Sequence, residues 1–137
     1  MRFMIIVKAT ADSEAGILPS EPLMDAMGTY HEALANAGVL LDASGLRPTA
    51  SGWRIRYAHG KREVIDGPFT ESRELIAGYT LIQVRSREEA MEWARRFPAP
   101  SGEHADGEIE VRQLYELDDF DSGPAADRFR DLNMSKS

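Results

Sequence analysis

The chain has 137 residues, of which 42% are apolar and 28% charged, with a formal net charge of −7 and no cysteine. That size and balance fit one globular domain. They exclude disulfides, thiolate metal sites and Cys nucleophiles, and without a basic stripe to compensate phosphates, direct nucleic-acid binding is not expected.

Arg2–Lys8 reads as a buried strand, with Phe3, Ile5 and Val7 on one face and Met4, Ile6 and Lys8 on the other. This apolar run is too short to span a membrane, and no small-residue cleavage site follows it, so the cytoplasm is the expected location. Thr10 to Leu18 reads as a polar loop. Ser20 is placed to cap a helix with Pro22 in its first turn, and Leu23, Met27, Tyr30, His31 and Leu34 form its apolar stripe as far as Ala37. Gly38 stops it.

Residues 39–43 form the next strand. Trp53–Tyr57 alternates, His59-Gly60 turns, and Arg62–Ile65 returns, which predicts a hairpin. Asp66-Gly67-Pro68 is a further turn, followed at once by Phe69, read as re-entering the core. Thr70–Glu74 is a linking helix or loop, and residues 78–84 are a central strand. Ser86 and Glu89 read as a capping box opening a helix with Ala90, Met91, Trp93, Ala94 and Phe97 inward and Pro98 at its end. Residues 108–114 alternate as the last strand. From Ser101 onward ten acids stand against four bases, so residues 118–137 read as a solvated acidic tail, with one weak amphipathic segment from Ala125 to Leu132.

Setting the hairpin aside leaves βαββαβ, so the expected fold is α+β, a ferredoxin-like unit with an inserted β-hairpin, spanning residues 1–117. Two helices cover one face of such a sheet, and a second copy of the chain is the simplest cover for the other.

Several blocks resemble one family. Asp66-Gly67-Pro68-Phe69 is followed by Glu74-Leu75-Ile76-Ala77-Gly78-Tyr79. Pro19-Ser20, Ala26-Met27-Gly28-x-Tyr30, Ala37-Gly38-Val39-Leu40-Leu41, Gly45-Leu46-x-Pro48 and the helix from Ser86 to Ala94 stand in the same order as in that family. Together they resemble the YCII-related (DGPF-domain) family. The resemblance implies a dimeric α+β barrel. It also implies a cofactor-free small-molecule enzyme in which a His and an Asp move protons or drive an elimination. The alternative it implies is a ligand-binding or accessory module working with a sigma factor in transcription regulation. Counting back from Ala37-Gly38, the helical His of the family falls near Met27. Here the His stands one turn later, at His31, on the same helix face.

His31 and Asp66 are therefore the candidate catalytic pair. For His31 the other reading is a part-buried ring bonded to a neighbour; for Asp66 it is a carboxylate that holds its own turn. Lys8, Tyr30, Arg47, Glu71 and Tyr79 are candidate ligand-binding residues. The charged ones read equally as surface ion pairs and the tyrosines as amphipathic packing. His104-x-Asp106-x-Glu108 lacks the ligand spacing of a closed metal site, and neither metal nor cofactor is expected.

Overall fold

The core lies on the side of the first strand that carries Phe3 and Ile5. The computed structural model describes residues 1–71, 74–120 and 123–132. Strand β1 (Arg2–Lys8) leads to a one-turn helix α1 (Ala11–Glu14), the long helix α2 (Glu21–Asn36) and strand β2 (Leu40–Gly45). A ribbon of β3 (Trp53–Ala58) and β4 (Lys61–Asp66) precedes β5 (Ile76–Gln83), helix α3 (Arg87–Arg95) and β6 (Ile109–Gln113). A C-terminal helix α4 (Pro124–Asp131) follows. None of these helices is long and apolar enough to cross a membrane.

Four strands form one antiparallel sheet in the order β2-β5-β1-β6. Together with α2 and α3 this is the ferredoxin-like arrangement, with β3–β4 as a separate inserted ribbon. Phe3, Ile5, Ile82 and Val84 from the sheet meet Tyr30 and Leu34 from α2 and Ala90 and Trp93 from α3. Both long helices start on serine caps: Ser20 Oγ accepts from the Leu23 amide at 3.3 Å and Ser86 Oγ from the Glu89 amide at 3.1 Å.

Because strand side chains alternate, the opposite sheet face carries Met4, Ile6 and Lys8 from β1 and Tyr79 and Leu81 from β5, with Met4 opposite Leu81 and Ile6 opposite Tyr79. Neither α2 nor α3 packs there. Its polar groups are paired laterally: Lys8 with Glu110 at 3.5 Å, and the Tyr79 hydroxyl donating to Asp42 Oδ2 at 2.8 Å.

Four sequence expectations need correction. The stretch after β1 is not all loop. Thr10 and Ser13 cap each other reciprocally, which nucleates α1. Met91 is not inward but 44% exposed, because the buried stripe of α3 runs through Ala90, Trp93, Ala94 and Phe97 and leaves position 91 a hundred degrees away. Glu89 does not close a capping box on Ser86, since its carboxylate accepts instead from the Arg85 amide at 2.9 Å. Phe69 does not enter the main core. It is half-buried beneath the Arg54 guanidinium, 3.7 Å from its ring centre. The amphipathic segment at the C-terminus is helical, as α4, and none of its residues is buried. Ser72 and Arg73, within the expected link 70–74, lie outside the described residues.

Candidate functional site

Helix α2 carries His31 one position beyond Tyr30, on the edge of its inward stripe, and this edge faces β5. Nδ1 of His31 lies 2.7 Å from the Met27 carbonyl oxygen, and Nε2 lies 2.8 Å from Thr80 Oγ1. A carbonyl only accepts, so Nδ1 carries the proton. In the neutral ring Nε2 is then the acceptor, and the Thr80 hydroxyl donates to it. The spacing produces this geometry. Met27 is one turn before His31, and Thr80 occupies the core side of β5, where it is 3% exposed. The rings of Tyr30 and Phe97 stand edge-on to the imidazole at 5.4 and 6.3 Å and limit its rotation. The arrangement is an imidazole with a set tautomer, an apolar wall and one hydroxyl at its basic nitrogen.

Tyr30 is buried, and its hydroxyl donates to the Trp93 carbonyl at 2.7 Å, tying α2 to α3. Burial pushes its pKa from 10.0 up to about 12, against a smaller opposing pull from Arg96. The hydroxyl that sequence reading offered to a ligand is thus engaged inside the core.

Asp66 ends β4, opposite Trp53 in the ribbon, and is exposed. Among the described residues no hydrogen bond or ion pair joins it to His31, and none joins its carboxylate to the turn that follows. That turn is held from elsewhere. The Glu14 carboxylate accepts from both the amide and the hydroxyl of Thr49, each at 2.8 Å. Thr49 Oγ1 in turn accepts from the Phe69 amide at 3.0 Å, and the Gly67 amide donates to the Gly52 carbonyl at 3.0 Å. Gly67 packs so close to this strap that a Cβ would overlap the Thr49 carbonyl. The turn-holding reading of Asp66 is therefore corrected: Thr49 and Glu14 hold the Asp66-Gly67-Pro68-Phe69 turn.

The remaining candidates are dispersed. Glu71 pairs with Arg54 at 3.7 Å beside Phe69, Lys8 and Tyr79 lie on the open sheet face, and Arg47 is exposed between β2 and the ribbon. Sequence reading missed Thr80, Thr49 and Glu14. Thr80 carried a signal, being the polar residue at an inward position of an otherwise apolar strand, where a buried hydroxyl needs a partner. Glu14 and Thr49 are 35 positions apart and carried none. Among the described residues no group of three or more His, Asp or Glu side chains is arranged to hold a metal ion.

Two comparisons with known proteins found similar sequences. The chain is similar to an uncharacterized protein of Rhizobium meliloti (strain 1021), 32% identical over 94 residues, a match that takes in 69% of this chain and 74% of that protein. A family model described as the YCII-related domain matches residues 1–118, which takes in both helix–sheet layers and the strapped turn. The chain belongs to the YCII-related domain family.

Proposed function

We propose that the protein is a cofactor-free enzyme that acts as a homodimer, binds a small molecule beside His31 and moves a proton to or from it. The observation that supports this is the oriented imidazole, with Nδ1–H on the Met27 carbonyl and Nε2 as the basic atom 2.8 Å from Thr80 Oγ1. A base needs a lone pair in a set direction, and the Nδ1–H bond to the Met27 carbonyl leaves that lone pair on Nε2, where the Thr80 hydroxyl rests on it. In an elimination the Thr80 hydroxyl passes its proton to Nε2 while Thr80 Oγ1 takes the substrate proton. The C–H bonding pair becomes the new double bond, the leaving group departs with its own pair, and the imidazolium returns the proton to solvent. Asp66 takes part in this scheme only through a substrate long enough to reach the ribbon. The homodimer is supported by the one-sided helix cover of the sheet, which leaves Met4, Ile6 and Leu81 on the other face.

The test is proton exchange. Small acids and phenols bearing a leaving group next to an acidic C–H are incubated with the protein in D2O. Deuterium enters one of them with the wild type and not with His31→Gln. Equal exchange by both proteins removes His31 from the chemistry.

A second reading, an accessory module that binds a sigma factor, is favoured by one fact: both ring nitrogens of His31 are already engaged within the chain. It predicts co-purification of a sigma factor with wild type and His31→Gln alike, and a clean pull-down counts against it.

A further inference from the structure

The β3–β4 ribbon carries an uncovered apolar face. Trp53, Ile55 and Tyr57 point to the same side of β3, and Val64 stands opposite Ile55 on β4. Trp53, Tyr57 and Val64 are each about two-thirds exposed, at 65%, 67% and 65%. A two-stranded ribbon is marginal in water without a cover, and this one belongs to no larger sheet. On this face Arg62 stands opposite Tyr57 and Asp66 opposite Trp53, while Arg54, Arg56, Glu63 and Lys61 lie on the reverse face, so the ribbon as a whole leans basic by two charges.

The segment after β6 is its complement. The rings of Tyr115 and Phe120 lie 5.1 Å apart at a tilt of 48° yet remain exposed, and on α4 Ala125, Phe129 and Leu132 recur at helical spacing with no buried residue behind them. Its described charges are Glu116, Asp118, Asp119, Asp127 and Asp131 against Arg128 and Arg130.

The topology keeps these two pieces apart within one chain. The ribbon springs from the β2 edge, at the end of the sheet where β2 finishes. The C-terminal segment leaves the β6 edge, and β6 runs opposite to β2, so it leaves at the other end. They occupy diagonally opposite corners of the sheet. A two-fold axis lying between two facing sheets, along the other diagonal, brings the ribbon of each copy onto the C-terminal segment of its partner.

We propose that the occupant of the ribbon's apolar face is the acidic C-terminal segment of a second copy, exchanged reciprocally. Aromatic faces meet at the centre, Arg62 beside Tyr57 meets the acidic rim, and the net-basic ribbon attracts the net-acidic segment as a whole. This rests on the homodimer proposed above and adds where its arms lie.

The absence of native cysteine makes the test clean. The exposed residues Tyr57 and Phe129 are replaced singly, as Tyr57→Cys and Phe129→Cys, and the two variants are refolded together and oxidised. The mixture is expected to form a disulfide-linked pair at least tenfold more than either variant alone, because like arms lie at opposite corners. A wild type that sediments as a dimer, with no excess cross-linking in the mixture, overturns the exchanged arms and leaves the dimer standing. A monomeric wild type overturns both. A double variant Tyr57→Cys/Phe129→Cys that closes its disulfide within one chain shows that the chain covers its own ribbon, and also overturns the proposal.

Discussion

Nε2 of His31 and Oγ1 of Thr80 are 2.8 Å apart, one on α2 and the other on the buried side of β5, and this bond sets the chemistry of the helix–sheet seam. The Met27 carbonyl, which can only accept, requires the Nδ1–H tautomer of His31, and this makes the Thr80 hydroxyl the donor to Nε2. Long-range 1H–15N NMR of the imidazole is expected to show a protonated Nδ1 and an unprotonated Nε2 in the neutral ring. The reverse assignment would mean that the Met27 carbonyl is not its partner.

Thr80→Val keeps the shape of the side chain and deletes the hydroxyl. Nε2 is then left half-buried without a donor, at a cost of about 1–3 kcal/mol. Urea unfolding of the variant measures it. Thr80→Ser, which restores the hydroxyl, is expected to recover most of the loss, so an equal loss in both variants would point to packing instead.

Tyr30 predicts a pH dependence with a definite sign. Its folded-state pKa of about 12 lies above the ordinary 10.0, so the folded chain holds this proton more tightly than the unfolded chain. Stability from this source is complete below pH 10 and is lost as pH rises through 12. Tyr30→Phe is expected to unfold more easily at neutral pH, because the Trp93 carbonyl loses its donor, and to lack the alkaline loss. A wild type whose denaturation midpoint stays flat from pH 9 to 12 contradicts the buried hydroxyl.

The layers of this fold were legible because they rest on local rules. A continuous apolar run marked β1, period-two alternation marked β6, the stripe from Leu23 to Leu34 marked α2, and serine caps marked both helix starts. The ribbon was legible from its turn, where His59 and Gly60 both take positive φ, 52° and 71°. The site was less legible. Its bonds join Thr80 to His31 and Glu14 to Thr49, positions far apart in the chain, and no local pattern encodes such a pairing. Phe69 illustrates the limit. An apolar ring after a turn reads as core, yet Arg54 on the neighbouring strand supplies a covering that only the three-dimensional arrangement shows.

Two glycines should respond in opposite directions. Gly67→Ala places a methyl group onto the Thr49 carbonyl, a backbone atom that cannot step aside without breaking the strap. A loss of several kcal/mol, of the kind seen for overpacked or strained sites, is expected, on the order of 3. Gly28 lies inside α2, where an added methyl group would meet nothing within 4 Å, so Gly28→Ala is expected to stabilise by up to about 1 kcal/mol. Thermal unfolding of the pair checks both signs.

The strap itself is testable at Thr49. Thr49→Val removes the hydroxyl that bridges Glu14 and Phe69, and with it two hydrogen bonds, one to a carboxylate. A loss of about 1–3 kcal/mol is expected. Hydrogen exchange at the Phe69 amide should rise well before exchange in β1 and β5. Uniform acceleration across the sheet would mean that the turn does not open by itself.

In the proposed dimer, a second copy of the chain covers the sheet face bearing Met4, Ile6 and Leu81. Sedimentation equilibrium at micromolar concentration measures this without knowledge of any ligand. A mass twice the chain's 15.2 kDa is the predicted result. A single species of 15.2 kDa across the concentration range would contradict it.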